Sequence, residues 1–291
     1  MRITENMRVA SAVSTQQRMA KRVQRATEVA SSGARVGQAS DDPSAWATGQ
    51  THAGRSAAAK ARGKVLDRAA SDLEVAEGAL ASAVDVMARA REIATQMASG
   101  SMDATTRKNA AIEVDALREQ LLGLANTQGG AGYVFGGTKT DVPPFTPGYA
   151  FVGNTGTRAA EIAPGTTLVT NLSGARAFTT AGGRDPFADL GALATALRTN
   201  TVAGIKAAID TTEAGRRQLS DVRSDAGLTL ERARSASEVL GNLALRLDKA
   251  RAGELEADAA PAFTELKAAS DAYDRSLTVT KQILSLSSLA R

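Results

Sequence analysis

The chain has 291 residues, a net charge of +4 from 35 basic and 31 acidic side chains, no cysteine and a single histidine. That set excludes a disulfide framework, a thiolate metal site, a cysteine nucleophile and a histidine-rich metal site. Apolar residues make up 43% of the chain but aromatic ones only 3%, so alanine, leucine and valine carry the apolar share, which suits thin helix–helix seams better than a thick globular core.

The opening stretch, MRITENMRVASAVSTQQRMAKRVQR, is basic and amphipathic. It has no unbroken apolar segment and no evident signal-peptidase site, so no cleavable secretory signal is expected. No run of about 18 apolar residues predicts a membrane span. The apolar face offers Val, Ala, Met and Gln rather than the Trp, Phe or Leu of an interfacial anchor, so no stable membrane insertion is expected. From about residue 5 to 32, Val9, Val13, Gln16, Ala20, Val23, Thr27 and Ala30 recur in alternating steps of four and three, the seam of a helix packing lengthwise on another. Its members are small or polar, so the seam is weak.

SSGARVGQASDDPSAWATG, residues 31–49, interrupts this pattern. Gly33 and Gly37 break the helix, and Asp41 or Asp42 before Pro43 reads as a cap with proline in the first turn rather than as a pair of metal ligands. Trp46 reads as a core or interface anchor beside the turn, and His52 as a helix-face residue.

Helical periodicity then returns, clear from residue 65. Leu66, Ala69, Leu73, Ala76, Leu80, Ala83, Met87, Ala90, Ala94 and Met97 form a seam roughly 50 Å long at 1.5 Å per residue. SGSMD (99–103) predicts a turn, and Ala110, Val114, Leu117, Leu121 and Leu124 an antiparallel return. Residues 126–184 differ in kind, being rich in Gly, Pro and Thr. Short strands are expected at 148–153, 158–163, 166–172 and 175–180, separated by the turn signals NTG, APG and SG. Asp185–Pro186 caps a further helix to residue 200. Another follows, with a seam at Ala236, Leu240, Leu243, Leu247 and Ala250 and a local break expected at Gly227. The last segment, 259–288, aligns Phe263, Leu266, Ser270, Tyr273, Leu277, Thr280 and Leu284, widened by Val279, Ile283, Leu286 and Ala290. The expected fold is mainly α: an elongated rod of long helices with coiled-coil termini and a small antiparallel β insert in the middle of the chain. The two ends are expected to pair with each other.

GGAGYVFGGTKTDVPPF (129–145) nearly spells a phosphate-binding loop. From Gly132 the spacing holds to Gly137, but Thr138 stands where the lysine is required and Lys139 comes one place late. Pro143 and Pro144 forbid the helix whose N-terminal amides would hold a phosphate. A dinucleotide fingerprint fails too, since Phe135 occupies the third glycine position. The alternative is a flexible hinge into the β insert, with Phe135, Gly136, Gly137, Pro143 and Pro144 at the connection and Tyr133 and Phe135 packing down. No nucleophile elbow accompanies His52. No enzyme, cofactor or metal site is expected.

Two stretches carry a resemblance. SSGARVGQASDDPSAWATG is similar to the motif near the start of flagellins and their axial relatives. YVFGGTKTDVPPF, with the β-rich segment after it, resembles the central region of the hook-associated protein 3 family, which joins the flagellar hook to the filament. The tail YDRSLTVTKQILSLSSLAR also resembles that family's C-terminus. Gly37–Gln38 in place of an Asn-containing turn, the missing Leu-Leu-Asp-Tyr ending and the short insert are departures.

The resemblance implies a terminal coiled-coil domain (1–40 with 255–291), a helical rod domain (41–140 with 185–254) and an outward-facing β domain (141–184). It implies hook-associated protein 1, flagellin, other copies of the chain, the flagellar export apparatus and an export chaperone as partners. The place implied is extracellular, at the hook-filament junction, reached without a cleaved signal peptide. Assembly residues would be Val9, Val13, Ala20, Val23, Ala30, Leu266, Tyr273, Leu277, Ile283 and Leu284, with Ser32, Gly33, Arg35, Asp41, Asp42 and Pro43 forming the domain turn.

A buried valine contributes at most about 2 kcal/mol, and ordering a residue costs a comparable amount. Residues 1–35 and 260–291 are therefore expected to be mobile alone and ordered in the polymer. Two other readings are flagellin itself and a coiled-coil nucleic-acid binder. The interspersed charges argue against the second, so no nucleic acid is expected as partner.

Overall fold

The computed structural model describes residues 2–163 and 165–289, with side chains described from Met7 on except those of Leu284 and residues 286–289. Among the described residues the chain forms seven α-helices, one short 3-10 turn and two antiparallel two-stranded sheets. The helices are α1 (Arg2–Ser32), α2 (Pro43–Met97), α3 (Ala104–Ala125), α4 (Gly174–Phe178), α5 (Pro186–Arg198), α6 (Val202–Leu255) and α7 (Ala259–Leu289). The strands are β1 (Gln128–Gly129), β2 (Gly132–Tyr133), β3 (Ala159–Ala163) and β4 (Thr166–Val169). Two compact units divide the chain: Ala59–Asn242, and the residues up to Ala58 together with those from Leu243 on.

In the 59–242 unit the α2 seam is buried where it was expected. Leu66, Leu73, Leu80, Ala83, Met87, Ala90, Ala94 and Met97 all leave the surface. Large side chains at every second seam position fix which face turns inward. Asp103 caps α3 by accepting the amides of Thr105 and Thr106 at 2.7 and 2.8 Å, and Asp185 caps α5 by accepting that of Ala188 at 3.0 Å. At the carbonyl end of α2, the buried Arg107 donates to Met97 O at 3.0 Å and Ser99 O at 2.8 Å, and to the Asn200 side chain. α6 is unbroken through Gly227, contrary to the expected break. No atom lies within 4 Å of the place its Cβ would take, so the glycine costs only helix propensity.

The insert departs from the strand reading. The second and third expected strands pair, as β3 with β4, Ala160 opposite Leu168. Residues 148–153 instead turn sharply, with Tyr149 at φ 66° and a lone bridge between Phe145 and Phe151. Residues 175–180 begin in α4, where Ser173 accepts the amide of Ala175, rather than in a strand. Five of the six phenylalanines meet here. Phe178 stands edge-on to Phe135 at 5.3 Å and to Phe145 at 5.6 Å, and Phe145 reaches Phe187 of α5 at 5.4 Å. The scarce aromatic content is spent at one place, fastening the insert to the helices.

In the other unit α1 and α7 lie antiparallel, as expected. Arg22 pairs with Glu265 at 2.7 Å, and Ala12 and Thr15 face Val279 and Thr280. Val36, Ala45 and Leu255 form a small buried cluster on which the half-buried Trp46 packs, the anchor role expected for it.

Candidate assembly surface

The residues that α1 turns toward α7 are half-buried or buried: Val9, Ala12, Gln16, Met19, Val23, Ala26 and Ala30. On α7 the matching run is Ala262, Leu266, Ala269, Tyr273, Ser276, Thr280 and Ile283. Both step by three and four, but at alternate positions they sit one residue before the expected seam. Val9, Val23, Ala30, Leu266, Tyr273 and Ile283 are thus brought together in the seam, with Leu277 half-buried at its edge. Val13 and Ala20 are exposed instead, and so are Thr27, Phe263 and Ser270. The Leu284 side chain lies outside the described residues. On α6 the shift runs the other way: Leu240 is buried as expected, but Ala244 is buried in place of the exposed Leu243.

The physical reason is close approach. Alanine lets two helix backbones come together, and the inward stripe places Ala12, Ala26, Ala262 and Ala269 at the contact, although it also takes in Met19 and leaves Ala20 out. Val13 and Phe263 on the adjacent stripe are left at the surface. Phe263 is 59% exposed and Met7 66%, and Val13 and Val279 are exposed too. Between the helix tips runs an open groove of roughly 470 Å³, lined by Arg8, Ala12, Thr15, Arg275, Val279 and Ile283. Thin burial inside and exposed apolar side chains outside leave surface that these helices can bury against a neighbour.

The turn residues take distinct roles. Ser32 Oγ bonds back to Glu28 O and accepts the Ala34 amide, while Gly33, at φ 70°, ends α1 in the left-handed conformation. Asp42 caps α2 through the Ala45 amide at 3.0 Å, with Pro43 at the first helical position. Asp41 is not the cap. Its Oδ2 accepts the amides of Gly37 and Gln38 at 3.0 and 3.1 Å and closes the turn before it. The backbone hydrogen bond from Ala45 holds the Asp42 carboxyl below its ordinary range. For Asp41, partial desolvation pushes upward, but the amides of Gln38 and Gly37 outweigh it.

The glycine-rich connection is a packed knot rather than a flexible hinge. Phe135 is fully buried and Gly136, Gly137 and Pro144 are buried with it, while Pro143 stays exposed. A Cβ at Gly136 would collide with the carbonyl oxygen of Lys139, and one at Gly137 with that of Asn154. These glycines are needed because backbone crosses backbone there. Arg118 lies 3.7 Å over the Tyr149 ring, whose hydroxyl donates to Glu119 and is held above its ordinary pKa by that bond. His52 lies half-buried on α2.

Residues 3–140 match the model of the bacterial flagellin N-terminal helical region. Flagellar hook-associated protein 3 of Escherichia coli K12 is 34% identical over 122 residues, 41% of this chain. The N-terminal part of the chain is thus similar to flagellin-like axial proteins, hook-associated protein 3 among them. Its match spans 38% of that curated relative's length. Two solved structures are similar in fold. One, assigned to a flagellar hook-associated protein of Vibrio parahaemolyticus, has a TM-score of 0.68 at 20% identity, covering 74% of this chain and all of that one. The other, the flagellar junction protein FlgL of Legionella pneumophila, has a TM-score of 0.57 at 16% identity, covering 72% of this chain and all of that one. No helix among the described residues is long and apolar enough to cross a membrane.

Proposed function

We propose that the chain is a structural subunit of the bacterial flagellum that joins the hook, through hook-associated protein 1, to the flagellin filament. It carries out no catalysis. Its terminal coiled-coil domain (1–40 with 255–291) packs among copies of itself and of its axial neighbours. The helical domain (41–140 with 185–254) and the β domain (141–184) are carried outside that layer. It leaves the cell through the flagellar export apparatus, delivered by a chaperone, and works outside the cell.

The observation that carries this reading is what the α1–α7 pair leaves outside: Val13, Phe263 and Val279 stay exposed while Ala26, Ala262 and Ala269 are buried. A self-sufficient pair would bury its largest apolar side chains; a subunit of a bundle keeps them for its neighbours. The junction role is favoured over flagellin because the curated relative and both solved folds are of the hook-associated or junction kind. A nucleic-acid role is disfavoured because basic side chains pair across helices, Arg234 with Glu74 and Arg223 with Glu77, instead of forming one basic face.

The test is deletion of the gene in its own host. The junction role predicts intact hooks, no attached filament and flagellin shed into the medium, restored by the wild-type chain. Loss of flagellin itself, with nothing shed, would point to the filament subunit.

A further inference from the structure

The segment leaving α1 and the segment entering α7 run side by side as a minimal antiparallel ladder. Arg35 and Val36 both donate their amides to Leu255 O, at 2.8 and 3.1 Å, and Ala257 donates its own to Gly33 O at 2.8 Å. Ala34 and Glu256 form the bridge between them. The Arg35 guanidinium reaches across to Glu254 O and lies 3.6 Å from the Asp42 carboxylate. Beneath the ladder sits the cluster of Val36, Ala45 and Leu255 with Trp46. Two carboxylates hold its outer side: Asp41 closes the 37–41 turn and Asp42 fixes the start of α2.

We infer that these paired connections form a latch from which α1 and α7 zip together, so that the helix pair opens from its tips and comes apart completely only when the latch is released. The seam supports a gradient. Ala26, Ala262 and Ala269 are buried near the latch, whereas toward the far ends Thr280 alone among the described seam residues is buried, Val9, Ala12 and Ile283 are half-buried, and an open groove is lined by both helices. One hydrogen-bonded ladder is therefore the fixed point of two long helices otherwise held by a thin seam. This property belongs to the single chain and does not depend on the junction role.

The latch is acid-sensitive. The charged groups around the two carboxylates are Arg25 and Glu28 of α1, Arg35 of the connection, and Glu254 and Glu256 at the end of α6. A carboxyl whose folded pKa is depressed contributes stability above its unfolded pKa, near 4, and loses it as pH falls through the folded value. Protonation, which in the folded chain comes only below the unfolded value near 4, takes the negative charge from the acceptors of the Gly37, Gln38 and Ala45 amides and weakens all three bonds.

The chain lacks cysteine, so introduced pairs label cleanly. Spin-label distances would be measured in the full chain on a latch-proximal pair, Ser31→Cys with Ala260→Cys, and on a tip pair, Ser11→Cys with Lys281→Cys. Trp46 is the only tryptophan, and its emission reports the cluster beneath the latch. At pH 7 the proximal distribution is expected to be narrow and the tip distribution broad. In the Asp41→Ala, Asp42→Ala variant, or in the wild type well below pH 4, both become broad and Trp46 emission shifts to the red, while near-ultraviolet dichroism from the phenylalanine and tyrosine cluster persists. Equal widths at pH 7, an unchanged proximal pair in both the variant and acid, or loss of the aromatic signal along with the latch would each overturn the inference.

Discussion

At Gly137 one hydrogen atom decides whether the chain can close. The residue has φ 71°, and a side chain there would meet the carbonyl of Asn154. Gly137→Ala is expected to destabilise the 59–242 unit by about 3 kcal/mol, combining left-handed strain with a clash against backbone that cannot move aside, as read by urea unfolding. Phe178→Ala removes the ring shared by Phe135, Phe145 and Phe187 and is expected to cost about 3–5 kcal/mol in the same measurement. Some roles at this scale are legible without coordinates. An aspartate before proline announces the caps at Asp42 and Asp185 because the mechanism is local. Trp46 is legible because a lone large aromatic beside a turn has few places to go. Arg107 and Gln218 are not legible. Gln218 holds the 177–184 segment by donating to Ala177 O and Arg184 O and accepting the Arg184 amide, and all of these partners lie more than thirty residues away in sequence.

Elements show where periodicity is sufficient and where it is ambiguous. On α2, leucine and methionine recur at seven-residue spacing and leave one choice of inward face. On α1 and α7, alanine, valine, serine and threonine fill two adjacent stripes of nearly equal hydrophobicity. The pattern alone does not choose between them, while packing takes the stripe that carries Ala12, Ala26, Ala262 and Ala269. That difference gives a sharp test. Val13→Asp is expected to leave the helicity of the free chain unchanged and to abolish incorporation into flagella. Ala26→Asp places a carboxylate inside the α1–α7 seam and is expected to lower helicity in the free chain as well, measured by dichroism at 222 nm. Normal incorporation of Val13→Asp would show that the outer stripe is not an assembly face. The insert fails for another reason. ARAF fits a strand by alternation, but the close packing of Gly174 against Phe135 and Phe145 and the cap at Ser173 make it helical. The β1–β2 hairpin, with Gln128 opposite Tyr133, is hidden in glycines that carry no alternation at all.

For the whole molecule, stability is distributed unevenly, and that distribution is the functional statement. The 59–242 unit holds the leucine-rich seam, the aromatic cluster and the aspartate caps of α3 and α5. Among the described residues the terminal helices hold a mostly half-buried seam, an exposed Arg22–Glu265 pair and a latch at one end. An exposed ion pair adds less than about 1 kcal/mol, so little except neighbours can complete their order. The most direct test is hydrogen exchange on the full chain, free and assembled. The account predicts that amides of α1 and α7 in the free chain exchange at least a hundredfold faster than those of α3 and α5, most of all toward the tips, and that assembly slows them to the level of the α3 and α5 amides. Terminal helices as protected in the free chain as α3 and α5 would contradict it.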